Sequence, residues 1–281
     1  PIFIGKNLIT KISNLMVNNS IKSKKCLLVV DRKVPKKFIS EIKKKLRNKK
    51  IFLFNFNANE KNNNQTTINS ILEILLNKNF SREDSLLAIG GGITGDVGGF
   101  AASLFKRGLH FINIPTTLLA QVDSSIGGKT GVNSKYGKNL IGSFYQPKLV
   151  ISDIDTLKTL NRREIVCGYG EILKHSIISR KKFFKYLDQN FDDIIKLKSP
   201  YIEKAIFESC KIKKDVVEKD EKESNLRKKL NFGHTFGHSF EASLGYSKRL
   251  NHGEAVILGM MVALKFSNKN IAIKIDVEGH E

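Results

Sequence analysis

The stretch that decides the fold is residues 87–96, LAIGGGITGD, in which an apolar run leads into three consecutive glycines and then into small residues. The apolar run predicts a buried strand, and the residues after the glycines predict a helix that begins at the turn. Because glycines carry no Cβ, backbone N–H groups and the N-terminus of that helix can approach a pyrophosphate closely. The turn is therefore interpreted as a nucleotide-binding loop, although its spacing differs from G-x-G-x-x-G.

The region around this turn, up to about residue 155, alternates short apolar runs with helical patterns. Strands are predicted at Cys26–Asp31, Ile51–Asn57, Leu86–Ile89 and His110–Ile114. Between two of them, Thr66–Leu76 has the spacing of an amphipathic helix, with a Thr at its start as the candidate cap. Alternation of this kind is typical of a mostly parallel sheet. We therefore predict an α/β nucleotide-binding domain at residues 1–155.

The strand pattern ends near residue 160, and apolar residues then recur with the 3.6-residue period of helices. Helices are predicted at Glu164–Ser179, Lys182–Asn190, Tyr201–Glu218, His234–Leu244 and Glu254–Ser267. We therefore predict a second, mainly α-helical domain at residues 156–281.

The composition is that of a folded protein with a strong excess of positive charge. Of the 281 residues, 41% are hydrophobic and 27% are charged, which excludes a chain that is disordered by composition. Forty-eight Lys and Arg residues against 27 Asp and Glu residues give a net charge of +21. The lysines are spread along the chain, as in Lys43–Lys45, whereas nucleic-acid surfaces are clustered and interleaved with aromatic residues. We therefore expect no nucleic-acid partner.

The cysteines and apolar runs indicate the compartment. Cys26, Cys167 and Cys210 lie far apart and lack C-x-x-C spacing, so they predict neither a disulfide framework nor a thiolate zinc site. The longest apolar run, Ala255–Leu264, is too short to cross a bilayer, and residues 1–10 lack the pattern of a signal peptide. The expectation is a cytoplasmic protein with no membrane partner.

A second chemical signal is a polar stretch that contains Pro115–Thr117, Asp123–Thr130 and Gly137–Asn139. It combines hydroxyl groups, glycines, an Asp and two lysines in one loop-rich region. Such groups suit an anionic, hydroxylated ligand. The alternative is an ordinary polar loop, although such loops seldom carry so many donors between apolar segments.

The third signal is a set of potential metal ligands in the helical half. Glu171 and Lys174 are three residues apart, and His234 and His238 are four apart, so each pair lies on one helix face. His252 adds a third imidazole. A pair of histidines at this spacing is a common zinc geometry, and spacing alone predicts that both His234 and His238 bind the metal.

These motifs, in this order, resemble the 3-dehydroquinate synthase family of the shikimate pathway over nearly the whole chain. The segments that carry the resemblance are GGGITGD at 90–96, RGLHFINIPTTLLAQVDSSIGGKTGVN at 107–133, GKNLIGSFYQP at 137–147, GEILKH at 170–175, LNFGHTFGH at 230–238 and HGEA at 252–255. The resemblance implies a nucleotide-binding α/β domain and a helical metal-binding domain, with NAD and Zn²⁺ (or Co²⁺) as cofactors. It also implies a homodimer that takes a small phosphorylated sugar acid.

The resemblance assigns roles to particular residues. The metal ligands would be Glu171, His234 and His252, with His238 beside the metal as an acid/base group. The implied cofactor contacts are Asp31, Glu60, Gly91, Gly92, Ile93, Thr94, Gly95, Asp96, Thr116, Thr117, Lys129, Lys138, Thr156, Leu157, Lys158 and Thr159. The implied substrate and catalytic set is Arg107, Asp123, Lys129, Asn139, Lys174, Lys213, Arg227, Asn231 and His238.

The reaction that the resemblance implies is that of a carbon–oxygen lyase. In it, 3-deoxy-arabino-heptulosonate 7-phosphate is oxidised with NAD, loses phosphate by elimination, is reduced again and closes into 3-dehydroquinate by an aldol step. Cations around the phosphate and carboxylate would hold one pose through these steps.

Three features depart from the family pattern. Asn63 stands where relatives usually have Lys, Lys33 stands where they usually have Asn, and the chain stops before several further helices. The chain is therefore interpreted as C-terminally truncated and as a weak or inactive catalyst, with part of the apolar face of Glu254–Ser267 exposed. A related sugar-phosphate cyclase, a polyol dehydrogenase of similar fold and an inactive remnant stay open as alternatives.

Overall fold

The computed structural model describes residues 1–179, 181–245 and 249–267. The chain divides into two compact units, Pro1–Glu164 and Ile165–Glu281. The end of the chain, residues 268–281, lies outside the described residues.

The first unit is built on a six-stranded, all-parallel sheet. Its strands are β1 Ile2–Gly5, β2 Lys25–Asp31, β3 Lys50–Phe56, β4 Ser85–Gly90, β5 His110–Pro115 and β8 Leu149–Asp153, in the order β1-β8-β5-β4-β2-β3. Four helices belong to this unit: α1 Ile12–Asn18, α2 Lys36–Lys45, α3 Gln65–Asn77 and α4 Gly92–Leu104. The predicted α/β fold with a mostly parallel sheet is confirmed.

Both faces of the sheet are covered, which explains the continuous apolar runs in its strands. Along β2, Leu27 and Val29 belong to one buried cluster, whereas Leu28 and Val30 belong to another on the opposite face. The two-residue period of a strand produces this division. Burial on both sides fixes the register of β2 and β4, and their carboxyl ends lie side by side at one edge of the sheet.

Two local expectations about the first unit are wrong. The stretch at 129–139, expected to be loop, contains an antiparallel hairpin of β6 Lys129–Ser134 and β7 Gly137–Phe144. The cap of α3 is Asn64, whose side chain accepts a hydrogen bond from the Thr67 backbone N–H at 3.0 Å, and not a Thr. Both Asn and Thr can cap helices, so composition did not separate them.

The second unit is helical. Its helices are α5 Arg162–Ser179, which begins just before the unit boundary, α6 Lys181–Gln189, α7 Phe191–Ile195, α8 Tyr201–Val217, α9 His234–Ser243 and α10 His252–Phe266. The predicted helical pattern is confirmed, and α7 is an addition to it. On α10, the apolar side chains of Leu258, Met261 and Phe266 are exposed. Within the described ranges, none of the helices has both the length and the apolar character needed to cross a bilayer.

Candidate cofactor pocket and metal centre

The glycine turn joins a fully buried strand of the sheet to α4. Strand β4 ends at Gly90, Gly91 is the N-terminal cap, and α4 begins at Gly92. A Cβ at Gly91 would lie 3.3 Å from Thr117 Cγ2, and one at Gly92 would lie 3.1 Å from Ser124 Oγ. The turn therefore packs tightly even without a ligand, and its glycines are needed for that packing as well as for ligand approach.

A cavity of about 460 Å³ opens beside this turn. The predicted cofactor residues that line it are Asp31, Gly91, Gly92, Ile93, Thr116, Thr117, Thr156 and Thr159. The N-terminus of α4 and the turn supply N–H groups and a positive helix dipole to this space, which suits a phosphate group. The structure therefore brings half of the predicted cofactor set to one cavity within the first unit.

Asp31 stands at the carboxyl end of β2, next to β4 in the sheet. Its side chain is buried, and Oδ1 accepts hydrogen bonds from the backbone N–H groups of Lys33 at 3.1 Å and Ala58 at 3.4 Å. These bonds hold the carboxylate at the cavity wall, where an acidic group can accept hydrogen bonds from the hydroxyls of a ribose.

The remaining predicted cofactor residues lie elsewhere in the first unit. Thr94 and Leu157 are buried in the interior, and a Cβ on Gly95 would meet Asn113. Lys158 pairs with Asp155 at 2.7 Å on the surface. None of these four residues lines the cavity.

A second cavity, of about 420 Å³, lies at the hairpin and is lined by Asp96, Lys129, Asn139 and residues around them. Beside it, the predicted cofactor residue Glu60 accepts hydrogen bonds from Lys138 Nζ at 3.0 Å and Asn133 Nδ2 at 2.8 Å. Asn139 has a positive φ of 55°, and its backbone N–H donates to Asn133 Oδ1 at 3.0 Å. Neither of these two cavities is lined by Arg107 or Asp123.

Three helices of the second unit bring a carboxylate and two imidazoles together. Glu171 on α5, His234 on α9 and His252 on α10 offer ligand atoms that all lie within 4.8 Å of one another. The Nε2 of His234 is 3.7 Å from Glu171 Oε1, and the Glu171 side chain is 1% exposed. Two neutral nitrogen ligands and one carboxylate form a donor set that fits Zn²⁺ or Co²⁺ and leaves coordination positions for a substrate.

His238 lies one turn after His234 on α9, with the two ring centroids 5.4 Å apart. It belongs to a different group, with Glu241 and His252. Among the described residues no ligand group combines His234 with His238, contrary to the expectation from spacing alone. Glu241 was missed by the sequence analysis, although its position seven residues after His234 places it on the same helix face.

Glycines allow the three helices to approach closely enough to form this group. A Cβ at Gly259 would overlap the Gly233 carbonyl oxygen, and one at Gly253 would overlap the backbone of Cys167. A Cβ at Gly237 would lie 3.0 Å from the carbonyl oxygen of Ala255. Larger residues at these positions would separate α5, α9 and α10 and pull the ligands apart.

Several cations of the second unit are buried, which is costly unless they are paired. Lys174, Lys213 and Arg227 are 2%, 6% and 2% exposed. Lys174 forms an ion pair with Glu171, and Arg227 Nη1 donates to the Glu221 carbonyl at 2.6 Å. Buried cations of this kind are typical of sites that bind anions.

The loop that carries Arg227 is organised by the carboxylate of Asp220. It accepts hydrogen bonds from the backbone N–H groups of Arg227 at 2.9 Å, Asn225 at 2.8 Å and Ser224 at 2.8 Å. These donors hold the pKa of Asp220 well below its ordinary value, with the bond from Arg227 as the largest cause. The last predicted substrate residue, Asn231, is exposed and donates to Glu223 Oε1 at 3.3 Å.

Two family descriptions match consecutive parts of the chain. The family described as 3-dehydroquinate synthase N-terminal matches residues 53–167, and that described as 3-dehydroquinate synthase C-terminal matches residues 168–278.

Curated relatives carry the same description. The chain is 61% identical over 269 residues to the 3-dehydroquinate synthase of Pelagibacter ubique (strain HTCC1062), covering 96% of this chain and 73% of that relative. It is 45% identical to the 3-dehydroquinate synthase of Alkaliphilus metalliredigens (strain QYMF), covering 92% and 71%. It is 49% identical to that of Aliivibrio fischeri (strain MJ11), covering 81% and 63%.

Solved structures share the fold. A 2-deoxy-scyllo-inosose synthase complexed with carbaglucose-6-phosphate, NAD⁺ and Co²⁺ has a TM-score of 0.85 and 27% identity, covering 95% of this chain and 72% of its own. A 2-epi-5-epi-valiolone synthase from Streptomyces hygroscopicus with NAD⁺ and Zn²⁺ has a TM-score of 0.84 and 26% identity, covering 94% and 73%. A glycerol dehydrogenase from Schizosaccharomyces pombe, at 17% identity and a TM-score of 0.70 over 95% and 71%, shares the fold alone.

Proposed function

The chain belongs to the 3-dehydroquinate synthase family, and from that premise we propose that it converts 3-deoxy-arabino-heptulosonate 7-phosphate into 3-dehydroquinate and phosphate. The observation that carries the proposal is the group of Glu171, His234 and His252, whose ligand atoms lie within 4.8 Å of one another. A basic nucleic-acid-binding protein would leave the glycine turn and this ligand group together unexplained. The reaction makes the enzyme a carbon–oxygen lyase that depends on NAD and on a divalent metal.

The residues present fit both cofactors. Glu171, His234 and His252 would hold Zn²⁺ or Co²⁺, and the cavity between the glycine turn and Asp31 would hold NAD. When bound, the metal would acidify a substrate hydroxyl and polarise the carbonyl derived from it, while NAD⁺ would take up and return a hydride. The cofactors found with two structural relatives of at least 26% identity support this assignment.

Buried cations of the second unit would bind an anionic group of the substrate. Lys174, Lys213 and Arg227 are buried, so their charges act in a medium of low dielectric constant, where attraction to a phosphate or carboxylate is strong. Several such contacts to one group would restrict its orientation through successive steps. Within the first unit, Lys129 and Asn139 line the hairpin cavity and offer donors there.

His238 is proposed as the proton carrier. It is exposed, and its ring centroid lies 5.4 Å from that of His234 and 6.0 Å from that of His252. An imidazole beside these residues could accept a proton from a substrate hydroxyl and return it in a later step. The proposal therefore gives His238 an acid/base role and leaves metal binding to His234 and His252.

The second candidate is a related sugar-phosphate cyclase, favoured by the structural likeness to two such synthases. The test is phosphate release from 3-deoxy-arabino-heptulosonate 7-phosphate, with and without NAD⁺ and Zn²⁺, followed by identification of the product. We expect release that requires both additions, and 3-dehydroquinate as product. Release from a different sugar phosphate but not from this one would support the cyclase, and hydride transfer without phosphate release would support a polyol dehydrogenase.

We also propose that the protein is a homodimer, that it works in the cytoplasm and that it binds no nucleic acid. The three free cysteines are in keeping with a reducing compartment. Light scattering tests the dimer directly. Filter binding at physiological salt tests whether the protein binds nucleic acid, because non-specific affinity from basic residues falls steeply with ionic strength.

A further inference from the structure

We propose that Glu241 is a positioning residue for the metal ligand His252. Its carboxylate would accept a hydrogen bond from the Nδ1–H group of that imidazole, which leaves Nε2 to bind the metal. The inference rests on the proposed metal centre of Glu171, His234 and His252 and adds a residue to it. Glu241 itself would not touch the ion.

The contact between the two side chains carries the inference. Glu241 Oε2 lies 3.4 Å from His252 Nδ1, and the Glu241 side chain is only 15% exposed. That distance is long for a hydrogen bond. When the hydrogen is on Nδ1, however, a bond to the ionised carboxylate belongs to the stronger and shorter class of hydrogen bonds. A half-buried carboxylate facing one ring nitrogen selects the tautomer with its hydrogen there.

The other imidazole of the centre shows the same arrangement with a different acceptor. His234 Nδ1 lies 3.4 Å from the Phe232 carbonyl oxygen, while its Nε2 faces Glu171 Oε1 at 3.7 Å. Both imidazoles therefore have Nδ1 beside an oxygen acceptor. The acceptor is neutral for His234 and anionic for His252, and an anionic acceptor makes the imidazole a more basic metal ligand.

The backbone at His252 is held by a helix cap, and Glu241 contacts the ring at Nδ1. Asn251 caps α10 by accepting a hydrogen bond from the Glu254 backbone N–H at 2.9 Å, and the Glu254 side chain accepts one from the Asn251 backbone N–H at 2.8 Å. This reciprocal pair fixes the start of the helix and hence the Cα of His252. It does not fix rotation about the side-chain bonds.

The same arrangement of side chains allows one competing interpretation. His238, Glu241 and His252 also offer ligand atoms within 4.8 Å of one another, so Glu241 could instead bind a second ion. The two interpretations differ in the number of ions bound. A positioning role gives one ion per chain in the wild-type protein and in Glu241 variants. A ligand role gives two ions per chain in the wild-type protein and one in the Glu241 variants.

The test is a titration of the full chain with Zn²⁺, in competition with a chromophoric chelator, and with Co²⁺ followed by visible absorption. The variants are Glu241→Gln, Glu241→Ala and, as the control on the same helix, Ser239→Ala. The Ser239 side chain is exposed, and its hydroxyl donates to the Thr235 carbonyl at 2.9 Å. We expect one ion per chain throughout, with affinity about 10- to 100-fold lower for Glu241→Ala and a smaller loss for Glu241→Gln, because Gln still accepts a hydrogen bond. The Co²⁺ spectrum should shift in both Glu241 variants and not in Ser239→Ala.

Unchanged affinity and spectrum in Glu241→Gln and Glu241→Ala would overturn the inference, as would a second ion that only these variants lose. Far-UV circular dichroism checks folding, and Glu241→Gln decides if the Ala variant does not fold. A wild-type-like metal affinity in Glu171→Ala would instead refute the metal centre of the proposed function, so the two failures are distinguishable.

Discussion

The glycine turn of the first unit and the metal group of the second unit are built in opposite ways. Turn residues 90–92 are contiguous, and the strand before them and the helix after them position the loop directly. The metal group takes one residue from each of three helices, and its geometry depends on how closely those helices approach. A local site such as the glycine turn can therefore be predicted from a short segment of sequence. An assembled site such as the metal group depends on packing contacts between residues that are far from its ligands in sequence.

Removal of a ligand from the assembled site should have the largest effect. Glu171→Ala takes away the only carboxylate of the metal group, so Zn²⁺ affinity should fall by more than the roughly 100-fold that follows loss of a residue behind a ligand. Phosphate release should fall with it. Metal content after dialysis measures the first effect.

The matched control is Glu218→Ala, which removes a surface carboxylate that pairs with Lys214 at 3.0 Å. Surface pairs contribute about 0–1 kcal/mol, so metal content should be unchanged. Retention of zinc by Glu171→Ala would show that the metal group is not assembled as described.

His238→Ala tests whether His238 binds the metal or only lies near it. Because His238 does not belong to the ligand group of His234 and His252, the variant should keep its metal. Turnover should fall by about 10²- to 10⁴-fold, the usual contribution of an acid/base residue. If His238→Ala loses zinc as completely as His234→Ala, the assignment of His238 is wrong.

Gly92→Val tests the local site. Gly92 is the first residue of α4 and lines the cavity. The new Cβ would lie 3.1 Å from Ser124 Oγ, and the branched side chain would add bulk at this wall of the cavity. We expect NAD⁺ affinity measured by calorimetry to fall at least about tenfold, which is 1.4 kcal/mol.

Gly5→Ala is the control for this variant, because its Cβ would have no neighbour closer than 4.0 Å. The far-UV circular dichroism of both proteins should match the wild type. Normal NAD⁺ affinity in a folded Gly92→Val protein would exclude the turn as the nucleotide site.

The smallest expected effect concerns the loop that holds Arg227. Asp220 has a folded-state pKa below its unfolded value, because its carboxylate accepts backbone hydrogen bonds from Arg227 and its neighbours. Its contribution to stability is therefore present above about pH 4, the unfolded pKa, and is lost as the pH falls through the lower folded value. The free energies of unfolding of the wild type and Asp220→Asn, measured with denaturant between pH 2 and pH 7, should differ by an amount that decreases on acidification. A difference that does not depend on pH would refute this explanation.

Much of the first unit was predictable, because its signals are short-range. The strands β2, β3, β4 and β5 were found at nearly their observed bounds, because their apolar runs are continuous. Both faces are buried along β2, β4 and β5, whereas β3 is a partly exposed edge strand. β1 and β8 were missed because each is only four or five residues long. The hairpin at 129–144 was missed because its polar, glycine-containing strands, exposed along much of β7, carry no clear alternation.

The metal group was only half predictable from the residues themselves. The period of α9 places His234, His238 and Glu241 on one face, and it cannot say which of them faces α5 and α10. Spacing favoured His234 together with His238, whereas the structure joins His234 to His252 and Glu171. Among the sequence-based arguments, only the family resemblance named Glu171, His234 and His252 as the metal ligands.

The sequence by itself determined the parallel sheet, the glycine turn, the helical second half and the set of residue types able to bind an anion and a metal. These depend on periodicity and on neighbouring residues, which a single segment contains. Only the tertiary structure decided how closely Glu171, His234 and His252 approach one another and that Glu241 stands behind His252. The reason is physical: these contacts require backbones to touch at Gly253 and Gly259, and such an approach is a property of three packed helices rather than of any one of them.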